Sequence, residues 1–249
     1  MARVDYDSQA VAYEAGRGVP LSSLFPWRKP IERTIPRGTS PIIDLGAGTG
    51  IWTRALSVWF TDARILAVEP SKGMQAVGID AGLPAGAVYV NACAEALPLR
   101  DRSCRAAWLS TVVHHLTDLR ACARELRRVL RAGSPAMIRN TFPGRQDEVE
   151  LFRFFPAAAA VAAAWPTLGD VRGAFAESGF SSCDVQRVRE PRWADLTGLR
   201  SWALSMRRTD STLAPITDAE FADGLRRLDE AVADGDSPRA GAMDLVILR

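Results

Sequence analysis

Residues 43 to 50 read I-D-L-G-A-G-T-G, a short apolar run that closes on an acid and then sets three glycines in five positions. A buried strand running into such a loop has to turn sharply and approach its surroundings without a Cβ in the way, which glycine permits. The helix expected to begin near Ile51 directs the positive end of its dipole at whatever lies above the loop. A nucleotide-like ligand suits that arrangement, although glycines also make plain structural turns. Counted from Gly46, the dinucleotide fingerprint G-x-G-x-x-G requires glycine at position 51, where Ile51 stands, and this argues against a nicotinamide dinucleotide.

Around this loop the chain alternates strand and helix. Residues 41–45, 64–69, 87–90, 106–110 and 135–139 are short apolar runs of the kind found in strands buried on both faces. Two more strands are expected at about 182–189 and 242–248. Between strands, the segment from Leu119 to Arg131 sets Leu119, Cys122, Ala123, Leu126 and Leu130 on one helical stripe. Arg120, Arg124, Arg127, Arg128 and Arg131 fall opposite, as a solvated face rather than a nucleic-acid surface, and Gly133 is expected to end the helix. The pattern predicts an α/β fold, a doubly wound and mostly parallel seven-stranded Rossmann-like sheet with helical cap insertions. Its ligand should sit beyond the carboxyl ends of the strands.

Composition removes several classes. With 249 residues, 47% hydrophobic, 24% charged and a net charge of +2, the chain can build one sizeable core. No apolar run approaches the roughly 18–20 residues of a membrane span, and M-A-R-V-D-Y-D has no apolar signal core, so a cytoplasmic protein is expected. Cys93, Cys104, Cys122 and Cys183 include no C-x-x-C pair, which predicts reduced thiols and no metal. The organisation expected is an N-terminal helical arm over the active site (1–40), a cofactor-binding core (41–140) and the C-terminal half of the sheet (141–249). That last part carries substrate-cap insertions at about 141–180 and 190–240.

A second landmark is Glu69 in A-V-E-P-S, about twenty residues past the glycine loop at a strand end, where a carboxylate can accept both hydroxyls of a ribose. Together with C-A-E-A-L-P-L at 93–99, S-T-V-V-H-H-L at 110–116 and E-L-R-R-V-L-R-A-G at 125–133, the series over residues 40 to 140 resembles the class I S-adenosylmethionine-dependent methyltransferases, of the ubiquinone/menaquinone-methyltransferase-like type. The resemblance implies S-adenosyl-L-methionine as cofactor, with S-adenosyl-L-homocysteine as product and no metal. It places Gly46, Ala47 and Gly48 under the methionyl part, Asp44 behind the loop or reaching the amino group through water, and Glu69 on the ribose. Pro70, Ser71 and Met74 correspond to the stretch against the adenine, Ala94 to a backbone donor for it, and Leu97 to the residue closing the pocket. Ser110 falls at the cofactor edge of the fourth strand. Cys93 departs from the pattern, standing where relatives often carry an aspartate that accepts from the adenine amine.

Methyl transfer depends chiefly on holding two reactants in line, with a base only where the nucleophile carries a proton. The two histidines, His114 and His115, follow the fourth strand, and an unperturbed imidazole titrates near pH ~6.5. If the chain there is helical only one can face the site, and His114 is the narrow choice. V-A-Y-E-A-G-R at 11–17 resembles a segment that folds over the cofactor, with Tyr13 and Arg17 near its carboxylate and Glu14 free to face substrate. Phe25 and Trp27 are expected to dock this arm. The residues E-L-F-R-F-F-P-A-A-A-A-V-A-A-A-W-P are too apolar for a solvated loop and predict a helix bent at Pro156 that serves as a lid. Trp193, Trp202 and Met206 lie in the second insertion, followed by an amphipathic helix from Asp218 to Ala233. The caps imply a small apolar or aromatic methyl acceptor, methylated on oxygen, nitrogen or carbon in specialised metabolism. Nucleic acid and membrane are not expected as partners, and either a monomer or a homodimer is compatible. The alternative is a non-catalytic binding protein that keeps this fold.

Overall fold

The computed structural model of the protein describes residues 6–17, the Arg17 side chain excepted, and 20–249. Seven strands form one sheet: β1 (Ile42–Leu45), β2 (Ile65–Val68), β3 (Ala87–Val90), β4 (Ala106–Ser110), β5 (Ala136–Asn140), β6 (Cys183–Glu190) and β7 (Gly241–Leu248). Their order is β3-β2-β1-β4-β5-β7-β6, with β1 to β5 paired in parallel and β7 antiparallel to both its neighbours. The chain leaves β1 for one side of the sheet and returns at β4 to build the other side, so the crevice between the carboxyl ends of β1 and β4 is the topological switch point. The expected fold class is the one observed.

Two apolar layers sandwich the sheet. One joins Ile43, Leu45, Val68 and Leu109 to α5 (Leu119–Val129) and α8 (Leu168–Glu177). The other joins Ile42, Ile65, Trp108 and Ile247 to α2 (Phe25–Thr34) and α3 (Ile51–Trp59), where Trp27, Trp52, Trp59 and Trp108 meet edge to face or tilted. Trp27 is fully buried here, whereas Phe25 is 56% exposed, so only the tryptophan docks. Accordingly α2 is part of the sandwich, and only α1 (Tyr6–Arg17) behaves as an arm.

A third core lies apart from the sheet. It unites α6 (Glu150–Phe154), α7 (Pro156–Ala163), α9 (Leu196–Met206) and α10 (Asp218–Ala233) through Leu151, Phe155, Leu199, Met206, Phe221 and Leu228. The two insertions therefore make one cap with its own core. The first insertion splits at Phe155 and Pro156 into two helices, since proline removes a donor and its ring blocks the preceding turn. On α10, Gly224 admits the Phe155 ring, which would lie 2.2 Å from a Cβ at that position. The cap contribution of the first insertion ends before α8, which packs on the sheet beside α5 instead of over the site.

Two details of α5 differ from expectation. The helix stops at Val129 and Leu130 turns extended to bridge Cys104, so Gly133 serves the turn into β5 rather than the helix end. The arginine face is only partly a solvated one. Arg128 donates to the carbonyls of Leu97 and Leu99 and pairs with Asp101 and Glu125, pinning the loop before β4, while Arg120 pairs with Glu177 of α8.

Candidate active site

The glycine loop folds as its composition demands. Gly46, Gly48 and Gly50 have φ of +72°, +55° and +84°, a region where L side chains are strained. The Gly46 and Ala47 N–H groups donate to the Val68 carbonyl, which turns the chain at the strand end. Gly50 then caps α3, and Tyr89 donates its hydroxyl to the Gly48 carbonyl. A Cβ on Gly46 would meet Val112 at 2.4 Å, whereas one on Gly48 would meet nothing within 4 Å, because Gly48 borders a cavity.

That cavity brings together Gly46, Gly48, Glu69, Pro70, Met74, Cys93, Ala94 and Ser110. Glu69 sits at its edge, 8% exposed, its two oxygens accepting from the Gly48 and Ser71 N–H groups at 2.9 Å. Burial pushes its carboxyl above the ordinary range, against the pull of those two backbone donors. Four expected residues support the cavity without lining it. Ala47 is buried behind the loop, and Ser71 caps α4 (Lys72–Asp80) by accepting from the Met74 N–H. Leu97 packs into the sheet core instead of closing the pocket, its N–H held by Glu125. Asp44, 1% exposed, accepts from the Thr53 hydroxyl at 2.6 Å and so ties the strand end to α3.

Burial raises the Asp44 carboxyl to about 7, the Thr53 hydroxyl opposing the rise and the Glu69 charge adding to it. The folded protein therefore holds a proton that the unfolded chain has released once the pH passes the ordinary aspartate range. Stability of the ligand-free protein should fall as pH rises from about 4 to 7, on the order of a few kcal/mol from this group. In Asp44→Asn, where the amide oxygen can still accept from Thr53, urea melts across that window should show a markedly shallower fall.

α1 lies over the cavity and is fastened at both ends. Asp7 accepts from the Ser71 hydroxyl (2.8 Å) and the Gly73 N–H (2.9 Å) at the start of α4. Glu14 accepts from the Thr49 hydroxyl and pairs with Arg54 at 3.5 Å, so it grips the glycine loop and lines neither cavity, contrary to the expectation that it faces substrate. Arg17 ends the helix, and its side chain lies outside the described residues. Loss of the Asp7 anchor in Asp7→Ala should weaken S-adenosylhomocysteine binding by about three- to tenfold, as expected for hydrogen bonds to a charged group, with faster proteolytic cleavage of α1.

A second cavity adjoins the first beneath the cap. Its walls include Phe142, Phe152, Trp165, Trp193 and Trp202, with Glu150, Glu190, Arg192 and Asp210 among them. The mixture is more polar than the apolar pocket expected. Four residues, Tyr6, Tyr13, Thr111 and His115, line both cavities and so form the wall between them. Val113–His115 is a tight 3-10 turn, and both histidines line the second cavity, because the turn projects into a crevice closed on one side by α1 and on the other by the cap. His114 stacks on Trp165 (3.8 Å, 6°) and shares a 3.1 Å hydrogen bond with Ser211, contacting both insertions. His115 Nε2 lies 3.3 Å from the Tyr6 hydroxyl. The geometry thus moves the emphasis from His114 to His115 at the boundary.

Sequence reasoning passed over Tyr6, Thr111 and the pair formed by Arg139 and Glu190. Tyr6 was accessible, since it lies seven residues before Tyr13 and so on the same face of a helix. Thr111 adopts φ +53°, uncommon for a residue with a Cβ, at the point where the chain leaves β4 between the cavities. Arg139 and Glu190 are 51 positions apart and carry no local signal. They meet at 2.6 Å, Glu190 lining the second cavity and Arg139 also donating to Ser110.

Residues 43–138 match the family model described as a methyltransferase domain. Over this segment, about two fifths of the chain, the protein is similar to S-adenosylmethionine-dependent methyltransferase domains. Among curated proteins it is similar to the demethylmenaquinone methyltransferase of Roseiflexus castenholzii, 32% identical over 39% of this chain and 41% of the relative. It is also similar to the ubiquinone/menaquinone biosynthesis C-methyltransferase of Rubrivivax gelatinosus, 32% identical over 43% of this chain and 41% of the relative. The matched stretch thus spans about two fifths of these relatives. Beyond it, the whole fold aligns with a protein assigned as a methyltransferase of an antibiotic biosynthesis pathway in Anabaena variabilis. That alignment has a TM-score of 0.74 at 20% identity and covers 89% of this chain and 96% of the other.

The donor set fits S-adenosyl-L-methionine. Gly48 leaves open the space a Cβ would take, Glu69 offers a carboxylate at the cavity edge, and Pro70, Met74 and Ala94 give an apolar slot. Among the described residues no group of three or more His, Cys, Asp or Glu side chains is placed to hold a metal ion, and no helix is long and apolar enough to cross a membrane.

Proposed function

We propose that the protein transfers a methyl group from S-adenosyl-L-methionine, held in the first cavity, to a small aromatic molecule in the second. The observation that carries this reading is the shared wall of Tyr6, Tyr13, Thr111 and His115, which brings two separate cavities into contact along one short boundary. In-line displacement needs such a boundary, with the reactants held in near-attack geometry and water excluded by α1 and the cap. The bound cofactor supplies an electrophilic methyl group whose carbon–sulfur bond breaks with its electron pair remaining on sulfur.

Gly46 and Gly48 would cradle the methionyl part, Glu69 would accept from the ribose, and Met74, Pro70 and Ala94 would flank the adenine, with Cys93 leaving the adenine amine to water or backbone. The ring-lined second cavity suits a flat aromatic acceptor, and the carboxylates on its walls suit hydroxyl or amine substituents. The names of the quinone-methylating relatives and of the antibiotic-pathway neighbour support an aromatic acceptor and a place in specialised metabolism. Methylation could fall on oxygen, nitrogen or carbon. We infer a protein that works without nucleic acid or membrane as monomer or homodimer.

The test is a calorimetric titration with S-adenosylhomocysteine, followed by radiolabelled methyl transfer to a panel of phenols, hydroquinones and aromatic amines. Saturable binding at micromolar or lower Kd, with label transferred to at least one aromatic class, is the expected result. Folded protein that binds no S-adenosylhomocysteine would leave the fold as a non-catalytic scaffold.

A further inference from the structure

We propose that Tyr6 and His115 form a proton relay that takes the proton of an acceptor O–H or N–H group at the boundary between the two cavities. The inference rests on the reading of those cavities as cofactor and acceptor sites, and it names the residues that finish the reaction there.

Three observations converge. Tyr6 and His115 are half of the residues that line both cavities, so they face any atom passing between them. The Tyr6 hydroxyl and His115 Nε2 are 3.3 Å apart, and the rings meet edge to face at 5.4 Å, which fixes the hydroxyl against the imidazole. His115 is held in turn by its backbone N–H, which donates to the Val112 carbonyl, and by the neighbouring His114 ring at 4.0 Å. His114 has a different role: stacked on Trp165 and bonded to Ser211, it joins the cap to the edge of β4 and shapes the acceptor cavity.

The proton bookkeeping closes on this pair. As the acceptor gains the methyl group, its proton passes to the Tyr6 oxygen while the Tyr6 hydroxyl proton moves to His115 Nε2. The imidazolium so formed returns its proton to water after product leaves, and tyrosine ends as it began. A tyrosine reaching the acceptor from α1 also makes the relay conditional on closure. Only when Asp7 and Glu14 hold α1 over the site does the hydroxyl stand at the boundary.

The probe is 1-naphthol, a flat aromatic with a single ionisable O–H whose anion absorbs at a distinct wavelength. It is added to the protein saturated with S-adenosylhomocysteine, in wild type, Tyr6→Phe, His115→Gln and His114→Gln. Because the chain has only two histidines, ¹⁵N-histidine spectra of the same samples report each imidazole separately.

In wild type the bound naphthol should ionise at least about one pH unit lower than in Tyr6→Phe or His115→Gln, and its addition should move the His115 signal. His114→Gln should weaken naphthol binding and leave the ionisation of the bound fraction as in wild type. Equal ionisation in all four proteins, or a His115 signal that naphthol does not move, overturns the relay. The S-adenosylhomocysteine titration is read in the same samples. Its failure in wild type refutes the cofactor reading, whereas normal uptake with unchanged naphthol ionisation refutes the relay alone.

Discussion

Replacing Gly48 with valine is expected to abolish S-adenosylhomocysteine binding, raising Kd by more than about 100-fold, while the protein still folds. At φ +55° a β-branched residue is strained, which should lower Tm by several degrees. The larger effect is steric. No atom lies within 4 Å of a Cβ at this position because the space belongs to the cavity, so the valine side chain would occupy the place of the ligand. Gly46 offers the instructive contrast. Its Cβ would strike Val112 at 2.4 Å, so Gly46→Ala should disturb the corner after β4 and cost stability as well as binding. Calorimetry beside a thermal melt separates the two outcomes. A Gly48→Val protein that binds S-adenosylhomocysteine like wild type would show that the cofactor lies elsewhere.

Arg139→Ala should cost about 3–5 kcal/mol of stability, the range for breaking one side of a buried ion pair. The Arg139 and Glu190 side chains are 9% and 13% exposed, and the guanidinium donates to both carboxylate oxygens. It also lies 5.0 Å from the centre of the Trp27 ring, whose indole N–H donates to Glu190 at 2.9 Å. Burial drives the Glu190 carboxyl upward, but the Arg139 charge and hydrogen bonds outweigh it and hold it below the ordinary range. Without Arg139 the burial is opposed only by the Arg192 charge and the Trp27 donor, so the variant should regain stability as pH falls and Glu190 takes up a proton. The double variant Arg139→Met, Glu190→Gln should recover much of the loss, since an uncharged amide can still accept from Trp27. Urea melts at pH 7.5 and 5.5 measure all three. A single-variant loss below about 1 kcal/mol would mean that water reaches this pair and that it contributes little.

The first cavity was legible because the residues around it are set by local chemistry. I-D-L-G-A-G-T-G is at once a strand end, a turn and a helix start, and each glycine is required by a backbone conformation that sequence alone can anticipate. Glu69 follows from the length of one strand–helix–strand unit. Leu97 and Ser71 show the limit: adjacent positions in a recognised stretch divided between cavity wall, core and helix cap, according to which way each side chain turned.

The second cavity was not legible in the same way. Its walls come from α1, the turn after β4, both insertions and the strand ends at Glu190 and Gly241, six parts of the chain that no periodicity links. The apolar insertions announced a cap, yet only packing showed that α8 belongs to the sheet and that α6, α7, α9 and α10 share one core. By itself the sequence determined the order of strands and helices, the glycine loop and the acid opposite it, since these depend on backbone conformation and on spacings of a few residues. Tertiary structure alone decided that Glu14 grips the loop, that His114 meets the cap and that Tyr6 reaches His115, because contacts between residues 35 to 109 positions apart depend on where the helices settle.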